Sequence, residues 1–84
     1  MNSKHQKILQ AVFATPVSGS IEWTAIESLL IAAGATLQEG RGSRIRFVYR
    51  NERATFHRPH PEKEAKPYQV KDAKKFLETI GVTP

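Results

Sequence analysis

The chain has 84 residues, no cysteine and a net charge of +5. That length suits one domain spanning residues 1–84, with neither a disulfide framework nor a thiolate metal site to staple it. No apolar run approaches the roughly 20 residues that span a bilayer and the N-terminus is too polar for a secretion signal, so the expectation is a cytoplasmic protein with no membrane partner.

In chain order, Ser3-Lys4-His5-Gln6 has the Ser-x-x-Gln form of a capping box and predicts the start of a first helix. Ile8, Leu9, Val12 and Phe13 recur at helical spacing and give it a buried stripe, leaving His5 on its exposed face. Pro16 and Ser18-Gly19-Ser20 end it in a short loop. Thr24-Ala25-Ile26-Glu27 repeats the capping-box form, and Trp23, Ile26, Leu30 and Ala33 share one face. The second helix should therefore span about 22–33, closed by Gly34, which is free to take positive φ.

The middle of the chain reads as strands. Ala35 to Glu39 is a short one, and Gly40-Arg41-Gly42 is a turn. Ser43 to Arg50 alternates, with Ile45, Phe47 and Tyr49 opposed to Arg44, Arg46, Val48 and Arg50. Arg53 to His57 alternates too, with Ala54 and Phe56 on one side. A two-residue loop at Asn51-Glu52 would set Tyr49 opposite Ala54, Phe47 opposite Phe56, Arg46 opposite His57 and Arg50 opposite Arg53. Two arginines facing each other oppose folding and suggest an anionic partner. Pro59, Pro61 and Pro67 predict a loop over 58–67. Ala73, Phe76, Leu77 and Ile80 line a last helix, with Asp72 as N-cap or a start nearer Gln69, stopping at Gly81. The fold class is α+β in the order α-α-β-β-β-α, with helices on one face of a three-stranded antiparallel sheet.

The charge is concentrated. Residues 1–40 hold two lysines against Glu22, Glu27 and Glu39, and residues 62–84 hold five lysines against four acids. Between them, Arg41, Arg44, Arg46, Arg50, Arg53 and Arg58 face Glu52 alone, so the excess of five lies in this stretch. All of these cations are arginine, whose planar fork matches phosphate oxygens. A clustered arginine stretch points to an anion site, where scattered lysines would indicate a solvated surface.

Three segments in this order resemble the HicA family of toxins: Gly42-Ser43-Arg44-Ile45-Arg46-Phe47, then Arg58-Pro59-His60-Pro61, then Phe76-Leu77 before Ile80-Gly81-Val82. The resemblance covers about 22–83, with residues 1–19 an added N-terminal helix and loop. It implies a fold like that of a double-stranded-RNA-binding domain and a toxin of a type II toxin–antitoxin pair. The implied activity is a metal-independent messenger-RNA interferase without cofactor, and the implied partners are RNA and a HicB-type antitoxin. The family's catalytic histidine follows a Gly-Ser pair, a position held here by Arg44. Arginine stays protonated and cannot serve as a general base. His60 carries over in the family's loop.

Cleavage of RNA without a metal needs a base for the 2′-hydroxyl, an acid for the leaving 5′-oxygen and cations for the phosphate charge. His57 and His60 are the candidate proton carriers, with Arg44 the third candidate catalytic residue. Arg41, Ser43, Arg44, Arg46, Arg50, Arg53 and Arg58 are the candidate RNA contacts. The plainer alternatives are that His57 ends a strand, that His60 orders a proline loop and that the arginines form a solvated face. His57-x-x-His60 is a weak half of a zinc site, with proline between the histidines and no third clear ligand. Two rival functions remain on the sequence alone: a catalytically silent RNA-binding relative and a basic adaptor for an acidic protein.

Overall fold

A computed structural model describes all residues 1–84. Its elements are α1 (Ser3–Phe13), α2 (Trp23–Ala32), β1 (Thr36–Glu39), β2 (Arg44–Tyr49), β3 (Glu52–His57) and α3 (Pro67–Thr79). The strands form one antiparallel sheet in the order β1-β2-β3, so the fold class is the expected α+β arrangement. No helix is long and apolar enough to cross a membrane.

The core lies between the sheet and the helices. Ile45, Phe47 and Phe56 point from the sheet onto Trp23, Ile26, Leu29 and Leu30 of α2 and Val70, Ala73, Phe76 and Leu77 of α3. Phe56 is its aromatic centre, with ring centroids 5.1 Å from Trp23 and 6.0 Å from Phe47. Leu9 and Val12 make α1 part of the same core. His5 is not on the free side of that helix as expected; its Nε2 lies 2.8 Å from Ser28 Oγ and ties α1 to α2.

Helix ends differ from expectation where another partner takes the capping group. Asn2, not Ser3, caps α1, its side chain accepting from the His5 N–H at 2.8 Å. Glu27 does not turn back to cap α2; the Trp23 indole and Arg58 hold its carboxylate instead. Helix α3 opens at Pro67, earlier than expected, because proline at the first helical position forfeits no bond and Gln69 accepts from the Lys66 N–H at 2.9 Å. Gly34 ends α2 with the expected positive φ, 111°.

The hairpin register departs from expectation by two residues. Arg44 pairs with His57, Ile45 with Phe56, Arg46 with Thr55, Phe47 with Ala54, Val48 with Arg53 and Tyr49 with Glu52. The loop is therefore Arg50-Asn51, and Arg50 has a φ of 54°. A slip of two residues keeps every side chain on its own face, so the apolar alternation fits both registers equally. The expected confrontation of Arg50 with Arg53 does not exist: Arg53 faces Val48, and Arg50 sits in the turn.

Candidate nucleic-acid interface

The two registers together define a grid on the face away from the helices. From the hairpin turn toward the β1–β2 loop, its rows are Thr36–Val48–Arg53, then Gln38–Arg46–Thr55, then the pair Arg44–His57. Successive rows are about 7 Å apart, two strand residues each. Apart from Val48, which is half-buried, these side chains are exposed. The sheet's aromatics point the other way, into the core.

The end row is built by the loop between β1 and β2. The Gly40 N–H donates to the Arg44 carbonyl at 2.7 Å, and the Arg58 N–H donates to the Ser43 carbonyl at 2.9 Å, extending the ladder past His57. A side chain at position 40 would stand 2.8 Å from the Arg44 carbonyl oxygen, so glycine is required there by the close approach. A Cβ there would also stand 3.2 Å from the Arg44 Nε, so this side chain passes close over Gly40. Ser43 Oγ is 3.4 Å from His57 Nδ1, and His57 Nε2 has no partner within the chain. A Gln69 N–H from α3 donates to the His57 carbonyl at 2.7 Å, fixing the backbone beneath the imidazole.

The candidate residues thus divide. Ser43, Arg44 and His57 meet at one end of the sheet, with Arg46 one row away and Arg53 two. Arg41 is exposed in the loop beside them. Arg50 stands about 20 Å along the strand from Arg44, with its guanidinium 5.4 Å from the centroid of the Tyr49 ring. His60 is exposed in the loop after β3 and forms no side-chain hydrogen bond. Arg58 is on the helix side. Its Nε donates to Glu27 at 2.8 Å and its two terminal nitrogens donate to Glu39 at 3.0 Å, with a further contact to Glu27 at 3.4 Å. These bonds, to Glu27 first and Glu39 second, hold the guanidinium further above its ordinary pKa. Four of its five donors are occupied, so little of it is free for a phosphate.

Sequence does not mark Glu27, Glu39 or Gln69 as parts of the site. Glu27 reads as the acid of a capping box and Glu39 as an ordinary strand carboxylate. Gln69 had a signal, since Lys66-Pro67-Tyr68-Gln69 sets a side-chain acceptor three residues after a potential cap. No group of three His, Asp or Glu side chains converges on His57 and His60, or elsewhere in the chain.

A three-stranded open sheet backed by helices, with a polar face of arginines ending in a serine–histidine pair, defines a small cationic-faced α+β domain. The family described as HicA toxin of bacterial toxin–antitoxin matches over residues 23–82, well over half of the chain, and the chain belongs to this family. Neither a curated protein nor a solved structure matches it. Helix α1 precedes the matched segment.

Proposed function

We propose that the chain is an endoribonuclease toxin that cuts messenger RNA at the Ser43–Arg44–His57 end of the sheet and is silenced by a HicB-type antitoxin. The observation that carries this reading is the hairpin register. Arg44 occupies the family's histidine position and cannot act as a base, yet His57 stands directly across from it on β3. An imidazole is thus present at the same end of the sheet, supplied by the neighbouring strand.

The chemistry assigns each group one task. If Nδ1–H of His57 donates to Ser43 Oγ, the lone pair is on Nε2, which makes no hydrogen bond within the chain. Nε2 takes the proton of a 2′-hydroxyl, the 2′-oxygen attacks the adjacent phosphorus, and the bond to the 5′-oxygen breaks. The products are a 2′,3′-cyclic phosphate and a 5′-hydroxyl, the latter protonated by water or by the imidazolium. Arg44, paired with His57 across the strands, stabilises the phosphorane charge as a fixed donor. Metal independence is part of this proposal, as the family resemblance implies. The cationic face that attracts RNA also offers an acidic antitoxin surface its target.

The test is incubation of pure protein with labelled messenger RNA in EDTA. Cleavage that His57→Ala abolishes, while RNA binding persists, supports the proposal. Binding without cleavage by the parent chain selects the silent RNA-binding relative instead. Binding only to an acidic protein selects the adaptor.

A further inference from the structure

The row next to His57 has its own recess. A cavity of about 140 Å³ opens among Gln38, Glu39, Gly40, Arg44, Arg46 and Thr55. Gln38 and Arg46 are direct cross-strand partners, and Arg46 and Thr55 are the next pair, so three hydrogen-bonding side chains meet in one row. All three are exposed, and none makes a side-chain hydrogen bond or ion pair within the chain. The row carries a mixture of donors and acceptors. A phosphate presents acceptors alone, and the Gln38 carbonyl oxygen would repel it. A nucleobase edge presents both kinds, and it suits both kinds of partner.

Resting on the proposed RNA substrate, we propose that Gln38 and Arg46 form a purine-reading subsite for the nucleotide beside the cleaved phosphate. Arginine pairs bidentately with O6 and N7 of guanine, and glutamine with N6 and N7 of adenine, so both residues read a purine's Hoogsteen edge. Pyrimidines lack N7. That edge is out of reach in the deep, narrow major groove of an RNA duplex, so the substrate is single-stranded at this point. No aromatic of the sheet faces this side, so the base is held by hydrogen bonds and by guanidinium planes, not by ring stacking. The single row spacing of about 7 Å from the subsite to His57 fixes which phosphate is cut relative to the purine read.

The experiment uses the full chain and four short, labelled RNA oligonucleotides that differ in one central base, with 2′-deoxy sugars there and at its 5′ neighbour to block cleavage on either side. Anisotropy titrations compare the parent with Gln38→Ala, Arg46→Lys and Arg46→Ala. The parent should bind the two purine oligonucleotides roughly tenfold more tightly than the pyrimidine ones. Arg46→Lys should erase the guanine advantage while keeping the affinity for pyrimidine oligonucleotides, because it keeps the charge and loses the fork. Gln38→Ala should erase the adenine advantage. Both positions lie outside the core, and unchanged thermal midpoints verify that the variants are folded. Equal affinity of the parent for all four bases, or an unchanged preference in the variants, overturns the subsite while leaving the RNA reading intact. No binding to any oligonucleotide overturns the RNA reading, and the subsite falls with it.

Discussion

Replacing Arg58 by methionine keeps most of the apolar stem and removes the charged head that joins α2, β1 and the end of β3. The loss is unequal on its two sides. The Glu39 side chain is 61% exposed, so its share is that of a surface pair, about 0–1 kcal/mol. Glu27 is only 15% exposed, and hydrogen bonds to charged groups are worth about 1.5–3 kcal/mol when shielded. Arg58 itself is 36% exposed, which moves that figure to its lower end. The Trp23 indole still donates to Glu27 in the variant, so the carboxylate keeps one partner. The net cost is about 2 kcal/mol, from a total that for this length is about 4–13 kcal/mol. The thermal midpoint should fall by about 8–16 °C. Urea and thermal unfolding of parent, Arg58→Met, Glu27→Gln and Glu39→Gln measure it, with Glu39→Gln costing under about 1 kcal/mol. Because the Arg58 pKa is raised, the sign is that of a cation gaining partners: titration of the guanidinium itself removes this stability only in strong alkali. A loss below about 0.5 kcal/mol for Arg58→Met would refute the reasoning, as would a Glu39→Gln cost equal to it.

Gln69→Leu leaves the His57 carbonyl and the Lys66 N–H without their buried partner, and should cost about 1–3 kcal/mol by chemical denaturation. Phe47→Ala empties the most voluminous fully buried position and should cost about 3–5 kcal/mol, enough to unfold a chain at the low end of the expected stability. Gly40→Ala forces a methyl group against the Arg44 carbonyl oxygen and should lower stability by about 1–3 kcal/mol, whereas Gly19→Ala meets open space and should change it by less than about 0.5 kcal/mol. Ser43→Ala should shift the pH profile of cleavage measured on labelled RNA, because Ser43 Oγ is the group nearest His57 Nδ1 in the hydrogen-bond network and orients the imidazole.

The element order and the division of the sheet into two faces were legible because both rest on local periodicity, such as Ile45, Phe47 and Tyr49 against Arg44 and Arg46. The register was not legible, because alternation has a period of two and a slip of two residues leaves it unchanged. What decides between the registers is which pair turns the chain, and the positive φ falls on Arg50, a residue without glycine's signal. The consequence reaches the site, since the slip moves His57 from Arg46 to Arg44. Arg58 was readable in part. Alternation continued one residue beyond His57 puts it on the helix side, but its carboxylate partners come from α2 and β1, 31 and 19 residues away in sequence. Such long-range pairings leave no local trace. The early start of α3 was masked by Pro67, which breaks a helix in its interior and favours one at its first turn.

The most direct measurement compares the parent chain, His57→Ala and Arg44→His on one labelled messenger RNA in EDTA, scoring cleavage and binding together. With His57 as the base, the parent cuts, His57→Ala binds at near-parent affinity without cutting, and the cut ends carry cyclic phosphates. Cleavage by His57→Ala at the parent rate contradicts the assignment. Cleavage by Arg44→His alone contradicts it as well, and would mark the chain as a toxin-fold protein whose present sheet holds RNA but does not cut it.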